Sequence, residues 1–100
     1  MNESISLTLG LKLRVLRKAQ YPSDSQSDFA ARIKTSSRTY SRMEAGDASV
    51  SLKNYINAAE ILNVADRFET LFDNPLAQAG TIDEESIEST FSDIFNRNKE

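Results

Sequence analysis

Residues 25–46, from Ser25 to Gly46, read SQSDFAARIKTSSRTYSRMEAG, and the order of apolar, small and hydroxyl-bearing residues in this stretch decides the fold. Ser25 can accept a hydrogen bond from a free backbone N–H, and Asp28 follows three residues later at capping-box spacing, so a helix is expected to start here. Phe29, Ala30 and Ile33 form its buried face. Thr35, Ser36 and Ser37 then interrupt it, because hydroxyl side chains compete for backbone groups and favour caps and turns over helix interiors. A second helix is expected from about Ser37 to Glu44, burying Tyr40 and Met43 at i and i+3. Gly46 ends it, being free to take a positive φ. Ala30 is small where the two helices would approach most closely. Ser37, Arg38, Ser41 and Arg42 share the face opposite Tyr40 and Met43. Two helices crossing steeply on a short turn leave the second exposed along its outer side, which is what entry into a nucleic-acid groove requires.

Working outward, the apolar series Leu9, Leu13 and Leu16, with Val15 beside it, predicts a preceding helix over about residues 7–19. Tyr21-Pro22-Ser23-Asp24 breaks it with turn chemistry. Beyond Gly46, Ser51 is a cap candidate for a helix burying Leu52, Ile56, Ala59 and Leu62. A short helix from Asp66 carries Phe68, Leu71 and Phe72, and Asn74-Pro75 stops it. Residues 75–81, PLAQAGT, read as a linker. The remaining tail has Thr81 and Glu84 at capping-box spacing, then Ile87, Phe91, Ile94 and Phe95 at i, i+4, i+7 and i+8, one apolar stripe on an otherwise acidic helix. The expected fold is all-α. A five-helix domain spans residues 1–74, and residues 75–100 form a linker and a C-terminal amphipathic helix.

Composition narrows the chemistry. The 100 residues include no cysteine and no histidine. Disulfides, thiolate nucleophiles, Cys/His zinc sites and imidazole acid–base catalysis are excluded. No paired carboxylates stand at a plausible cleft, so the expectation is a protein that is not an enzyme and has no cofactor or metal. The opening MNESISLTLGLKLRVLRKAQ lacks the pattern of a signal peptide, and no apolar run reaches the length of a membrane span, so a cytoplasmic protein with no membrane partner is expected.

The net charge of −3 hides a strong asymmetry. Between residues 11 and 45 eight basic residues (Lys12, Arg14, Arg17, Lys18, Arg32, Lys34, Arg38, Arg42) face only Asp24, Asp28 and Glu44. The later segments are acidic. A basic front and an acidic back steer and orient a molecule towards phosphate.

The Ser25–Gly46 stretch resembles the helix-turn-helix of the phage-repressor-like (Cro/cI, or XRE) family, and the resemblance extends over roughly residues 7–72. It implies a repressor-like domain that binds double-stranded DNA. In that family a Gln opening the second helix holds a phosphate through its side chain and backbone amide; Gln26 matches. The small residue of that helix matches Ala30, and the buried positions of the third helix match Tyr40 and Met43. A buried ion pair between an Arg late in the first helix and a Glu closing the third falls on Arg17 and Glu44. The leading recognition positions fall on Ser36, Ser37 and Arg38, with Ser41 and Arg42 further along. Lys34 is read as a phosphate contact, and Thr39 as a further hydroxyl that can meet a base or a phosphate. Lys34 also stands where the family has its turn glycine, which implies either a strained left-handed lysine or a different turn. Thr35 replaces the usual apolar residue, and the link between the first two helices is about two residues longer than usual.

The stretch GDASVSLKNYINAAEILNV is similar to a subgroup, the HipB-type antitoxins. These repress their own operons and bind a kinase-like toxin, and Glu44, Gly46, Asp47, Val50, Ser51, Leu52 and Tyr55 fit its pattern. The resemblances together imply a homodimeric repressor on a palindromic operator, regulating its own operon. The tail stripe Ile87, Phe91, Ile94 and Phe95 is left with three readings: packing on its own domain, a dimer contact, or a toxin contact. The alternative function is a protein-interaction module that neutralises a toxin, with DNA binding secondary or absent.

Overall fold

The structure is a computed structural model, and it describes residues 3–76. The chain divides into two units, Met1–Glu69 and Thr70–Glu100. All five helices of the described residues belong to the first: α1 (Glu3–Gln20), α2 (Gln26–Arg32), α3 (Ser37–Glu44), α4 (Leu52–Ile61) and α5 (Asp66–Glu69). The described residues contain no strand. None of their helices is long and apolar enough to cross a membrane. In the second unit, Thr70–Leu76 form turns, with Asp73 N donating to the Thr70 carbonyl and Leu76 N to Asn74 Oδ1. The apolar stripe expected at Ile87, Phe91, Ile94 and Phe95 lies outside the described residues.

The core is built where the apolar pattern put it. Phe29, Ala30 and Ile33 of α2 and its cap pack with Tyr40 and Met43 of α3 and with Val50, Ala58 and Leu62. The Phe29 and Tyr40 rings lie 5.1 Å apart, and Tyr21 meets Phe29 edge-on at 5.7 Å. Such aromatic contacts add to the area that these rings bury. Gln20 Nε2 donates to the Leu62 carbonyl, tying the end of α1 to the end of α4.

Helix α5 ends at Glu69, before the Leu71 and Phe72 expected on it, both of which are exposed, and two inward faces also differ from expectation. In α1, Leu9 is exposed, and the inward series is Gly10, Leu13, Leu16 and Arg17. The cause is steric: α1 crosses α3 backbone to backbone at Gly10, and that contact sets the helix's rotation. A Cβ at Gly10 would sit 2.6 Å from the Glu44 carbonyl oxygen, and one at Gly46 would sit 2.8 Å from Leu7 Cα. The helix also starts earlier than expected, since its Ser6–Leu7 turn lies against Gly46. In α4, Leu52 is exposed, whereas Ala58, Ala59 and Leu62 are buried. The α4 face is fixed by half-buried Tyr55 and by Ala58 and Leu62, which follow it at i+3 and i+7; Leu52, at i−3, shares that face but is the first residue of the helix and remains exposed.

Helices α2, α3 and α4 terminate in the same way. At each end a residue with positive φ follows the cap: Lys34 (58°), Gly46 (84°) and Asn63 (63°). The next amide then reaches back to the carbonyl of the last turn, Thr35 to Ala30, Asp47 to Arg42 and Val64 to Ala59, while the left-handed residue itself bonds Ala31, Met43 or Glu60. This paired bonding satisfies carbonyls that the helix end would otherwise leave open. The left-handed turn that ends α2 is thus made with a lysine rather than a glycine. A left-handed non-glycine residue costs about 1–2 kcal/mol, and glycine gives back about 0.4–1 through the unfolded chain. Lys34→Gly is therefore expected to stabilise the fold by up to about 1 kcal/mol, seen as a higher urea midpoint. A lower midpoint would show that the Lys34 side chain contributes more than its backbone costs.

Candidate nucleic-acid interface

The site is framed by two capped helices. Ser25 Oγ accepts from Asp28 N at 3.1 Å and Asp28 Oδ2 accepts from Ser25 N at 3.0 Å, a complete capping box opening α2. Ser36 Oγ accepts from Thr39 N at 3.0 Å and donates to Thr39 Oγ1 at 2.9 Å, opening α3. Ser36 and half-buried Thr39 are thus engaged with one another at the start of α3. Ser37, Arg38, Ser41 and Arg42 are all exposed, one turn apart in pairs, while Tyr40 and Met43 between them are fully buried. The helix is anchored by its apolar side and open along its polar one.

Beneath this face lies a buried ionic junction. Arg17 Nε donates to Glu44 Oε2 at 2.6 Å and Nη2 to Oε1 at 3.2 Å, with side chains only 5% and 3% exposed. Arg17 Nη1 donates to the Asp24 carbonyl at 2.8 Å. Gln26 Nε2 also donates to Glu44 Oε1, at 2.9 Å. One carboxylate therefore joins α1, the first residue of α2 and the last residue of α3. Burial pushes the Glu44 carboxyl up, but its donors Arg17 and Gln26, with the Tyr40 hydroxyl beside it, outweigh that and the net shift is downward. The hydrogen bond to Glu44 raises Arg17 in turn. Burial, reinforced by the Glu44 charge, drives the Tyr40 hydroxyl well above the usual phenol range. That hydroxyl is enclosed beside the pair without a well-formed hydrogen bond.

The basic front is partly neutralised from within. Arg32 Nε donates to Asp24 Oδ2 at 2.6 Å, and its guanidinium lies 4.2 Å from the centre of the Tyr21 ring. Arg42 Nε donates to Asp47 Oδ2 at 2.8 Å and Nη2 to Ser49 Oγ at 2.9 Å. Asp47 accepts at Oδ1 from both Ser49 Oγ and Ser49 N, and Tyr55 Oη donates to the Asp47 carbonyl. The Ser49 hydroxyl and amide, then Arg42, hold the Asp47 carboxyl down at about 2. Lys12, Arg14, Lys18, Lys34 and Arg38 have no ion-pair partner among the described residues. These are the charges available to an external anion.

Of the side chains expected at the interface, Arg38, Ser37, Ser41, Arg42 and Lys34 are exposed on α3 and the turn before it. Gln26 is half-buried and already bonded to Glu44, which leaves its second amide N–H to spare. Sequence reading missed Asp47, Ser49 and Tyr55 as neighbours of Arg42. Their signal, an Asp two residues before a Ser, is common in turns, and its role emerges only once the chain reverses at Gly46.

Residues 24–67 match a family model described as helix-turn-helix, a span that contains the second and third helices, the turn and α4. No curated protein and no solved structure gives a match. Over these residues the chain is similar to XRE-type helix-turn-helix domains, and the geometry of α2 and α3 fits that likeness, which suggests a DNA-binding transcription regulator.

Proposed function

We propose that this protein is a homodimeric, sequence-specific repressor that blocks transcription by occupying a palindromic operator on double-stranded DNA, that of its own operon included. The observation that carries the reading is the exposed face of α3, Ser37, Arg38, Ser41 and Arg42, standing over the fully buried Tyr40 and Met43. In this reading α3 enters the major groove, Gln26 and Lys34 hold phosphate, and the hydroxyls at the start of α3 supply secondary contacts. The unpaired cations on α1, the turn and α3 favour approach to phosphate despite the acidic total. Two recognition helices must lie about 34 Å apart for adjacent half-sites, so a dimer surface is required. Exposed Leu7, Leu11 and Val15, at i, i+4 and i+8 on α1, offer apolar area of the kind such a surface uses.

Arg38→Ala combined with Arg42→Ala is expected to weaken binding to the DNA upstream of its gene by about 1–3 kcal/mol per base-reading pair lost, in a gel shift. Wild-type affinity should fall steeply with salt. An unchanged shift for the double variant would remove this face from the reading.

A narrower form of the proposal, a HipB-type antitoxin, is favoured by the run Glu44, Gly46, Asp47, Val50, Ser51, Leu52 and Tyr55. It adds a kinase-like toxin as partner, with Ile87, Phe91, Ile94 and Phe95 as the contact. The interaction-module reading keeps that partner and drops the operator. Co-purification with the product of an adjacent gene, abolished by deleting residues 82–100 and not by the arginine substitutions, would favour the module.

A further inference from the structure

Arg38 and Arg42 occupy the same face of α3, one turn apart, yet they are prepared differently. Arg38 is exposed and has no hydrogen-bond or ion-pair partner among the described residues. Arg42 is braced. Its Nε meets Asp47 Oδ2 and its Nη2 meets Ser49 Oγ. The brace is itself held, because both Ser49 donors fix Asp47 Oδ1 and the Tyr55 hydroxyl fixes the Asp47 backbone from α4. We infer that Arg42 is the side chain that reads guanine in the bound DNA, that Asp47 and Ser49 are its positioning residues, and that Arg38 serves the phosphate backbone. The inference rests on the DNA-binding reading proposed above.

The chemistry follows from the guanidinium's edges. Its five N–H donors lie in a fixed plane. The two bonds to Asp47 and Ser49 use one N–H on Nε and one on Nη2, the same edge. Both N–H groups of Nη1 and the second of Nη2 remain, and one from each nitrogen forms the forked edge that matches O6 and N7 of guanine. Reading a base demands a held orientation, whereas a phosphate oxygen can be met from many directions. An unbraced arginine also loses more rotamer freedom on binding. Charge divides the two residues in the same sense. Arg42 carries a carboxylate with it and brings little net charge to the backbone, while Arg38 brings a full one. The Arg42–Asp47 pair is about half exposed, so it contributes little to folding, and its loss is read in binding.

The test is selection from a pool of randomised duplexes, with wild type, Arg42→Ala, Arg38→Ala, Asp47→Asn and Asp47→Glu, each checked for an unchanged urea midpoint. Wild type is expected to enrich a site containing a position preferred as guanine by roughly tenfold or more. Arg42→Ala should flatten that one position and leave the others. Asp47→Asn should weaken the same preference severalfold with the salt slope unchanged, and Asp47→Glu should restore part of it. Arg38→Ala should weaken all sequences alike and reduce the salt slope by about 0.9. The assignment is overturned if Arg42→Ala keeps the guanine position, or if Asp47→Asn tightens binding, which would make Asp47 a competitor of DNA. An equal loss for all sequences in Asp47→Asn would likewise overturn its positioning role. If wild type binds no duplex, the DNA reading itself fails, and that outcome is distinct from all of these.

Discussion

Glu44→Gln is expected to cost about 3–5 kcal/mol of folding stability, because it leaves Arg17 charged, buried and without its partner. The Arg17 side chain is 5% exposed, so water cannot replace the carboxylate. The amide keeps one acceptor oxygen but no charge, so beyond the Asp24 carbonyl Arg17 retains at most part of its bonding to residue 44. A domain of this size has a total stability of about 5–15 kcal/mol, so the loss takes a large share of it. The same substitution weakens the tie from Gln26 to the end of α3, which loosens the frame on which the recognition face is mounted. Replacing both partners by apolar residues, Arg17→Met with Glu44→Leu, should recover most of the loss, since a buried pair stabilises little beyond the cost of burying it.

Acid adds a second signature. Folding holds the Glu44 carboxyl below its ordinary value of 4.5, and Asp24 and Asp47 below 3.8. Stability from a depressed carboxyl is present in full above the unfolded value and is lost as the pH falls through the folded one. Wild type should therefore lose stability as the pH drops below about 4.5 and Glu44 protonates, while the Asp24 and Asp47 pairs, whose arginines are exposed, add little. Glu44→Gln should lack its share of that slope. Urea midpoints measured across this range read both effects, and a full-slope variant of wild-type stability would refute the ionic junction.

Gly10→Ala is expected to be the other severe substitution. A methyl group there would lie 2.6 Å from the Glu44 carbonyl oxygen, 2.7 Å from Gly46 N and 2.8 Å from the Met43 carbonyl oxygen. All three are backbone atoms, so no flexible side chain can move aside. Overpacking of this kind costs about 1–3 kcal/mol and occasionally more. Alanine is better than glycine in a helix interior by about 1 kcal/mol, which offsets only part of it. A net loss of up to about 2 kcal/mol should appear as a lower urea midpoint. Since α1 would be pushed off the end of α3, DNA binding should weaken as well. A neutral or stabilising result would mean that the crossing is looser than the structure has it.

These two sites also show where sequence was and was not sufficient. The bounds of α2 and α3 were legible because each sign was local: hydroxyls at Ser25 and Ser36, apolar residues at helical spacing, and a glycine at 46. The ion pair between Arg17 and Glu44 was reached only through the family resemblance, since 27 residues separate the two. Gly10 reads in sequence as a mild flaw in a helix, and its reason lies on another helix. Without it, Leu9 looked inward. Lys34 left two turns possible, because the cost of a left-handed lysine is comparable to the two hydrogen bonds that retain it. The brace on Arg42 depends on the chain folding back after Gly46, which pattern alone does not reveal.

Contact between the outer face of α3 and DNA is tested most directly by titrating isotope-labelled protein with a mixed-sequence duplex of about 20 base pairs, two helical turns, and following backbone amide shifts by NMR. Non-specific affinity of about 10⁻⁴–10⁻⁶ M suffices for this, so the operator need not be known. Shifts are expected to concentrate at Gln26, Lys34 and residues 36–42 and to be reduced by added salt. Shifts confined to α4 and α5, or none at low salt, would contradict that contact.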